Sequence, residues 1–237
     1  MVDGKEIYDS SQDIQLPYEI EHIYPDYSIY GELTKDTAYG FLTRGCPRGC
    51  GFCHVASKEG KRSYKVADLD EFWRGQKNIV LMDPNILACP DHLGLLDQLR
   101  RSKAKVDFNQ GLDIRLINDR NLDILRETKL TRVHFAFDRW QDKDIIEPKL
   151  RLFRQKTNLS RSMVSVFILT NFDTTLEQDL YRIQLCRELN ITPYPMIYDK
   201  EHCADIYKKL QRWCNPNIFW KTPNFYEYEP MSKLLKK

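Results

Sequence analysis

The sequence has no run of about 18 uninterrupted apolar residues, so nothing in it is expected to span a membrane. It has no internal repeat at solenoid periods and no low-complexity tract, which excludes repeat arrays and biased-composition scaffolds. No glycine-rich dinucleotide fingerprint is present, so a Rossmann-type methyltransferase is disfavoured. The N-terminus, MVDGKEIYDSSQD, is acidic and polar, unlike a signal peptide. A cytoplasmic, reducing location is therefore expected, where clustered cysteines bind metal more often than they form disulfides. Glycine is scarce, at 10 of 237 residues. Yet Gly40, Gly45, Gly49 and Gly51 fall within twelve residues, around Cys46, Cys50 and Cys53.

With 42% apolar and 30% charged residues, the chain can bury a sizeable core and is not expected to be disordered. The net charge of +2 is unevenly placed. Residues 1–32 carry eight acids against one lysine, a net −7. Residues 44–65 carry Arg44, Arg48, Lys58, Lys61, Arg62 and Lys65 against Glu59, a net +5. The cysteine cluster thus sits in a basic segment, which reads either as a solvated loop or as an anion-binding mouth.

Short β-rich runs alternate with amphipathic helical runs. Strands are predicted at 38–43, 78–83, 105–110, 132–138, 162–171 and 191–199. Helices are predicted at 66–75, at 90–103 with Pro90 near the first turn, and at 118–128 with Asn118 as N-cap. Further helices are predicted at 144–155, starting near Pro148, at 175–190 with Thr174 and Glu177 spaced as a capping box, and at 201–215. Six βα units imply a parallel, curved sheet with outer helices. Six cannot close an eight-stranded barrel, so the expected fold is α/β, a partial (β/α)6 TIM-like barrel. Its functional face is expected at the C-terminal strand ends. The cysteine loop follows the first strand directly and so belongs to that face.

Cys46, Cys50 and Cys53 have C-x3-C-x2-C spacing and can converge on one centre. Three thiolates on a four-iron cluster leave one iron without a protein ligand, the open position a reactive centre needs. Glycine supplies the positive φ and close N–H approach that wrapping a cluster requires. The alternative is a structural zinc site, which wants a fourth ligand; His54 adjoins Cys53 and is poorly placed to point at the same centre. Cys186 falls in step with Leu180, Ile183 and Leu189 and reads as core. Cys203 and Cys214 lie on one predicted helix, about 16 Å apart along its axis, too far to share a cluster. Cys89 is a lone thiol near a helix start.

Polar residues collect after the predicted strands: Asp83 and Asn85, then Asn109, Gln110, Asp113 and Arg115, then Asp138, Thr170, Asn171, Tyr198 and Asp199. Each can be an ordinary cap or turn residue, but together they would crown one rim.

Cys46-x3-Cys50-x2-Cys53, with Phe52 before the last cysteine and a strand just upstream, resembles the radical SAM superfamily. The stretches YGFLTRGCPRGCGFCHVASKEG, VLMDPNIL, FNQGLDIRL and FAFD look like a compact, single-cluster group within it. The resemblance implies a [4Fe–4S] cluster on the three cysteines and S-adenosylmethionine chelated to the open iron. It implies reductive cleavage to a 5′-deoxyadenosyl radical, and an external electron donor such as flavodoxin or ferredoxin. It divides the chain into an acidic extension (1–35), a core partial barrel (36–200) and a C-terminal helix with an aromatic-rich tail (201–237). It places Phe52 near adenine. Where the superfamily often carries Gly-Gly-Glu, this chain has MDPN, leaving Asp83 and Asn85 as candidate cofactor contacts. Asp138 would accept from ribose hydroxyls or the amino group. Arg115 would pair with the methionine carboxylate or, equally, with Asp113.

The tail holds Trp213, Phe219, Trp220, Phe225, Tyr226 and Tyr228, which can stack a substrate base but are expected to plug the barrel. The leading reading is a radical enzyme acting on an external, anionic substrate such as a nucleotide or nucleic acid. The alternatives are an activating enzyme that puts a glycyl radical on a partner protein, and a zinc- or cluster-stabilised binding module without catalysis. No second set of paired cysteines is visible, which disfavours methylthiolation.

Overall fold

The computed structural model describes residues 17–228. The first sixteen residues of the acidic extension and residues 229–237 of the tail lie outside them. A six-stranded parallel sheet with surrounding helices is built in the order β1 (Thr37–Gly40), β4 (Asn78–Leu81), β5 (Lys105–Phe108), β6 (Lys129–Ala136), β7 (Val164–Thr170), β8 (Thr192–Ile197). All six predicted strands are present, and the sheet matches the expected partial barrel. A separate antiparallel ribbon pairs β2 (Thr43–Arg44) with β3 (Tyr64–Lys65). Among the described residues, no helix is long and apolar enough to cross a membrane.

The chain divides into two compact units, Met1–Gln110 with Glu127–Lys129 and Gly111–Arg126 with Leu130–Lys237. In the first, β1 pairs in register with β4 from Thr37↔Asn78 to Gly40↔Leu81, and β4 with β5 from Asn78↔Lys105 to Leu81↔Phe108. Ala38, Ile79, Leu81, Val106 and Phe108 are buried, as are Leu95, Leu96 and Leu99 of α3 (His92–Ser102). The N-terminal segment lies along β1: the Tyr27 hydroxyl accepts from the Tyr39 N–H (3.0 Å) and donates to the Phe72 carbonyl (2.9 Å).

The second unit repeats strand-then-helix three times. Val133, Phe135 and Phe137 alternate with His134, Ala136 and Asp138, and the odd-numbered set is buried. Phe135 meets Phe153 of α5 (Lys143–Lys156) edge-on, so this face of the strand carries the helices. On β8, Pro193 and Pro195 lie opposite Val166 and Ile168. Proline cannot donate to a ladder, which suits β8 to the sheet edge.

Four expectations need correction. Residues 66–75 form only a 3-10 turn, Leu69–Glu71: the Glu71 carboxylate takes the Asp68 N–H (2.9 Å) and the His22 ring (2.5 Å), and Gly75 turns the chain at φ 96°. Helix α5 begins at Lys143, not Pro148; the proline, which has no N–H to give the Asp144 carbonyl, sits inside the helix on its exposed side. The capping box of α6 (Leu176–Glu188) is Thr175 with Gln178, one residue later than expected, while Thr174 donates to Asp179 (2.6 Å). Cys203 precedes α7 (Asp205–Trp213) rather than lying on it. Asn118 does cap α4 (Asp119–Glu127), accepting from the Asn121 N–H at 3.2 Å.

The aromatic tail is mostly core. Trp213, Phe219 and Phe225 are 2%, 0% and 6% exposed. Arg187, in the last turn of α6, stacks on Phe219 (3.9 Å) and donates to the Phe219 and Thr222 carbonyls. The end of α6 leads into the start of β8, so the tail plugs the N-terminal side of these strands, away from their C-terminal ends.

Candidate functional site

The cysteine loop is pinned from below by Asp83. This residue follows β4, is 3% exposed, and sits within reach of the chain leaving β1. Its Oδ1 accepts from the Thr43 N–H (2.6 Å), the Thr43 hydroxyl (2.7 Å) and the Leu42 N–H (3.1 Å), the last shared with Oδ2 at 3.2 Å. Burial pushes its carboxyl up to about 6, against the downward pull of these bonds. Asp83 therefore spends its oxygens on the strand that launches the loop.

The loop closes at Gly45. Its N–H donates to Glu59 Oε2 (2.9 Å), the Cys46 N–H donates to the Gly60 carbonyl (3.2 Å), and Arg44 pairs with Glu59 (3.3 Å). Gly45 has φ +77°, and a Cβ there would lie 2.0 Å from the Arg62 carbonyl oxygen, so no other residue fits. Glu59, the lone acid of the basic segment, is thus the clasp of the loop, a role its sequence position did not reveal.

Cys46 and Cys50 are half-buried and Cys53 is exposed; none of the three is in a disulfide. The Cys53 N–H donates to the Cys50 carbonyl (3.0 Å), and Phe52 between them is half-buried. Asn85, 3% exposed, donates from Nδ2 to Cys46 Sγ at 3.5 Å, while its main-chain carbonyl accepts from the Ser63 hydroxyl (2.9 Å). Among the described residues, no three His, Cys, Asp or Glu side chains are gathered as a single metal ion would require. The donor set nevertheless suits a cluster: three accessible thiols on one short loop, an amide N–H on one sulfur, and left-handed backbone at Gly45 and Gly49. The remaining four cysteines are buried. Burial pushes the Cys186 thiol up to about 12 and raises Cys89 and Cys214, which keeps these sulfurs protonated and hydrophobic.

The basic segment is partly neutralised. Arg44 stacks on Phe41 (3.5 Å) and also approaches Glu21 (3.6 Å), and Lys65 pairs with Asp68 (2.7 Å). Arg48, Lys58, Lys61 and Arg62 are exposed. A cavity of about 190 Å³ beside Arg44 is lined by Glu21, His22, Phe41, Glu71 and Phe72, among others.

In the second unit, Arg115 is fully engaged. Its guanidinium holds Asp113 (2.7 and 3.1 Å) and Asp142 (2.5 Å), the ion-pair alternative that the sequence left open. Asp138 follows β6 and accepts from the Leu169 N–H at Oδ1 (2.8 Å). Burial raises its carboxyl, and Arg182 and Arg115 pull it down. Thr170 and Asn171 end β7; Asn171 has φ +60° and donates to the Tyr198 carbonyl (3.0 Å). Helix α6 holds a charged pair that sequence reading missed, Asp179 and Arg182, both 0% exposed. Charged residues on a helix default to the solvent face. The available signal was spacing, since 179, 182, 183 and 186 form one stripe.

No family model matches the sequence, and no curated protein does. Among solved structures, the fold is similar to the crystal structure of Streptococcus suis SuiB bound to precursor peptide SuiA, with TM-score 0.52 and 12% identity. The match covers 86% of this chain and 48% of SuiB, so the chain spans about half of SuiB's length. The likeness at this identity is one of fold alone.

Proposed function

We propose that the protein is a radical S-adenosylmethionine enzyme. The observation that carries the reading is the Cys46-x3-Cys50-x2-Cys53 loop leaving β1 of a six-stranded parallel sheet whose fold resembles SuiB. Cys46, Cys50 and Cys53 would hold a [4Fe–4S] cluster. When bound, the cluster and S-adenosylmethionine supply one-electron reductive cleavage, ending in methionine and a hydrogen-abstracting 5′-deoxyadenosyl radical. An external low-potential donor such as flavodoxin or ferredoxin delivers the electron.

This chain's residues hold and orient. Asp83 and Glu59 fix the two ends of the loop, so neither is assigned a direct contact with S-adenosylmethionine. Asn85 hydrogen-bonds the Cys46 sulfur, which tunes a cluster rather than binds its substrate. Asp138 is the contact we assign to the ribose hydroxyls or amino group, as a strand-end acid oriented through one oxygen. Phe52, within the loop between Cys50 and Cys53, would lie near the adenine. Arg115 shapes the second unit through Asp113 and Asp142.

The substrate is proposed to be anionic, a nucleotide or nucleic acid, because exposed Arg48, Lys58, Lys61 and Arg62 surround the loop. The second reading is a peptide or protein substrate, favoured by SuiB having been captured with a precursor peptide.

Anaerobic incubation with dithionite and S-adenosylmethionine tests the reaction. The wild type should contain iron and acid-labile sulfide and release 5′-deoxyadenosine; Cys46→Ala/Cys50→Ala/Cys53→Ala should do neither. Stoichiometric zinc without sulfide would overturn the proposal. Binding of RNA and nucleotides that weakens steeply with salt, and is lost in K58Q/K61Q/R62Q, supports the anionic substrate; salt-insensitive peptide binding supports the second reading.

A further inference from the structure

Strands β6 and β7 pair in parallel register from Val133↔Val164 to Ala136↔Phe167, and the Phe137 N–H still donates to the Phe167 carbonyl (2.8 Å). A parallel ladder would continue with the Leu169 N–H donating to the Phe137 carbonyl. It does not. The Leu169 N–H donates to Asp138 Oδ1 (2.8 Å), and the Phe137 carbonyl is taken by Arg182.

Arg182 reaches this point from the middle of α6. Helical side chains lean toward the N-terminus, and α6 starts near the C-terminal end of β7, so the guanidinium arrives behind the strand ends. Nη1 donates to the Phe137 carbonyl and to the Asp138 carbonyl (3.0 Å). Nη2 donates to the Leu169 carbonyl (2.9 Å), Thr174 Oγ1 (3.1 Å) and Asp179 Oδ1. One planar cation therefore holds three carbonyls from two adjacent strands and is itself held by Asp179. Both charged side chains are 0% exposed. Such a pair is weak evidence for stability, since apolar residues of similar volume often do as well. What only a guanidinium fork supplies is the geometry.

We propose that Arg182 is a positioning residue for Asp138: by taking the Phe137 carbonyl out of the ladder, it releases the Leu169 N–H to fix the direction of the Asp138 carboxylate. The proposal rests on the assignment of Asp138 made above. Without the fork, the ladder closes by one more bond, and the carboxylate loses its fixed direction.

The test uses three backgrounds of the full chain, reconstituted anaerobically: Arg182→Lys, which keeps the charge but not the fork; Asp179→Asn/Arg182→Met, which removes both partners so that no charge is left buried alone; and Asp138→Asn. S-adenosylmethionine affinity is measured by equilibrium dialysis, and the Leu169 amide is followed by NMR in the cluster-free chain. Arg182→Lys and the paired variant should fold and bind about ten- to a hundredfold more weakly, the worth of a charge-assisted hydrogen bond. Adding Asp138→Asn to either should cost nothing further, and the Leu169 amide should shift in both. Wild-type affinity in Arg182→Lys, losses that add to those of Asp138→Asn, or an unmoved Leu169 amide would overturn the proposal. Wild-type binding by Asp138→Asn alone would instead remove the assignment beneath it, a result visible without touching Arg182.

Discussion

Replacing Asp83 by asparagine should remove a pH dependence without breaking the loop. In the folded chain the Asp83 carboxyl is pushed from its ordinary 3.8 up to about 6, chiefly by burial. A shift of that size corresponds to about 3 kcal/mol. Because the folded pKa is the higher one, the folded state holds the proton more tightly. The favourable contribution is present below about pH 4, is lost as pH rises through about 6, and stays lost above it. Asparagine keeps an acceptor at Oδ1, where the Leu42 and Thr43 N–H groups and the Thr43 hydroxyl converge, and carries no charge to desolvate. Urea unfolding of the wild type and Asp83→Asn from pH 4.5 to 7.5, under reducing conditions, reads the difference. Over this window the wild-type carboxyl gives up about 2 of those 3 kcal/mol, so Asp83→Asn should gain about 2 kcal/mol relative to wild type on going from the acid to the neutral end. Asp83→Ala, which leaves two N–H groups and a hydroxyl buried without an acceptor, should lose about 3 kcal/mol or more throughout. Parallel stability curves for wild type and Asp83→Asn would refute the reasoning, and so would an Asp83→Ala chain as stable as wild type.

Other perturbations follow from the same geometry. Gly45→Ala drives a methyl group into the Arg62 carbonyl and should abolish iron incorporation while the far-UV spectrum of the sheet is retained; normal iron content would contradict it. Asn85→Leu removes the N–H donor to Cys46 and should make the reduced cluster harder to form, moving its midpoint about 60 mV more negative, a tenfold change for one electron; an unshifted midpoint in an EPR redox titration would count against it. Phe219→Ala empties a 0% exposed site beneath Arg187 and should cost about 3–5 kcal/mol in denaturant unfolding, with S-adenosylmethionine affinity unchanged.

The sheet was legible because strands such as SVFILT announce themselves by composition, and six of them alternating with helices leave few topologies. The cysteine loop was legible because spacing and glycine are local properties. What the sequence concealed was pairing at a distance. Asp83 read as a ligand because it follows a strand, but its partners, Leu42 and Thr43, lie 41 and 40 residues away and use chiefly backbone groups, which have no sequence signature. Arg115 was ambiguous between the methionine carboxylate and Asp113, and its bond to Asp142, 27 residues on, had no local signal. Residues 66–75 carry a helical pattern, yet Glu71 is drawn to His22 and to the Asp68 N–H, which local propensity cannot foresee. Arg182 was invisible for a related reason: its partners are main-chain carbonyls on two strands.

The Tyr27 hydroxyl has a consequence beyond its own hydrogen bonds. Strand β1 is the outermost of the sheet, and an outermost strand offers its unpaired backbone to any other chain that can extend alongside it. Here one phenol occupies the Tyr39 N–H and part of its carbonyl at 3.1 Å, where, among the described residues, no further strand pairs. With the Thr34 carbonyl taking the Thr37 N–H at 3.1 Å, this phenol guards the border of the sheet, and Tyr27→Phe should loosen it into a template for self-association, measurable as concentration-dependent light scattering.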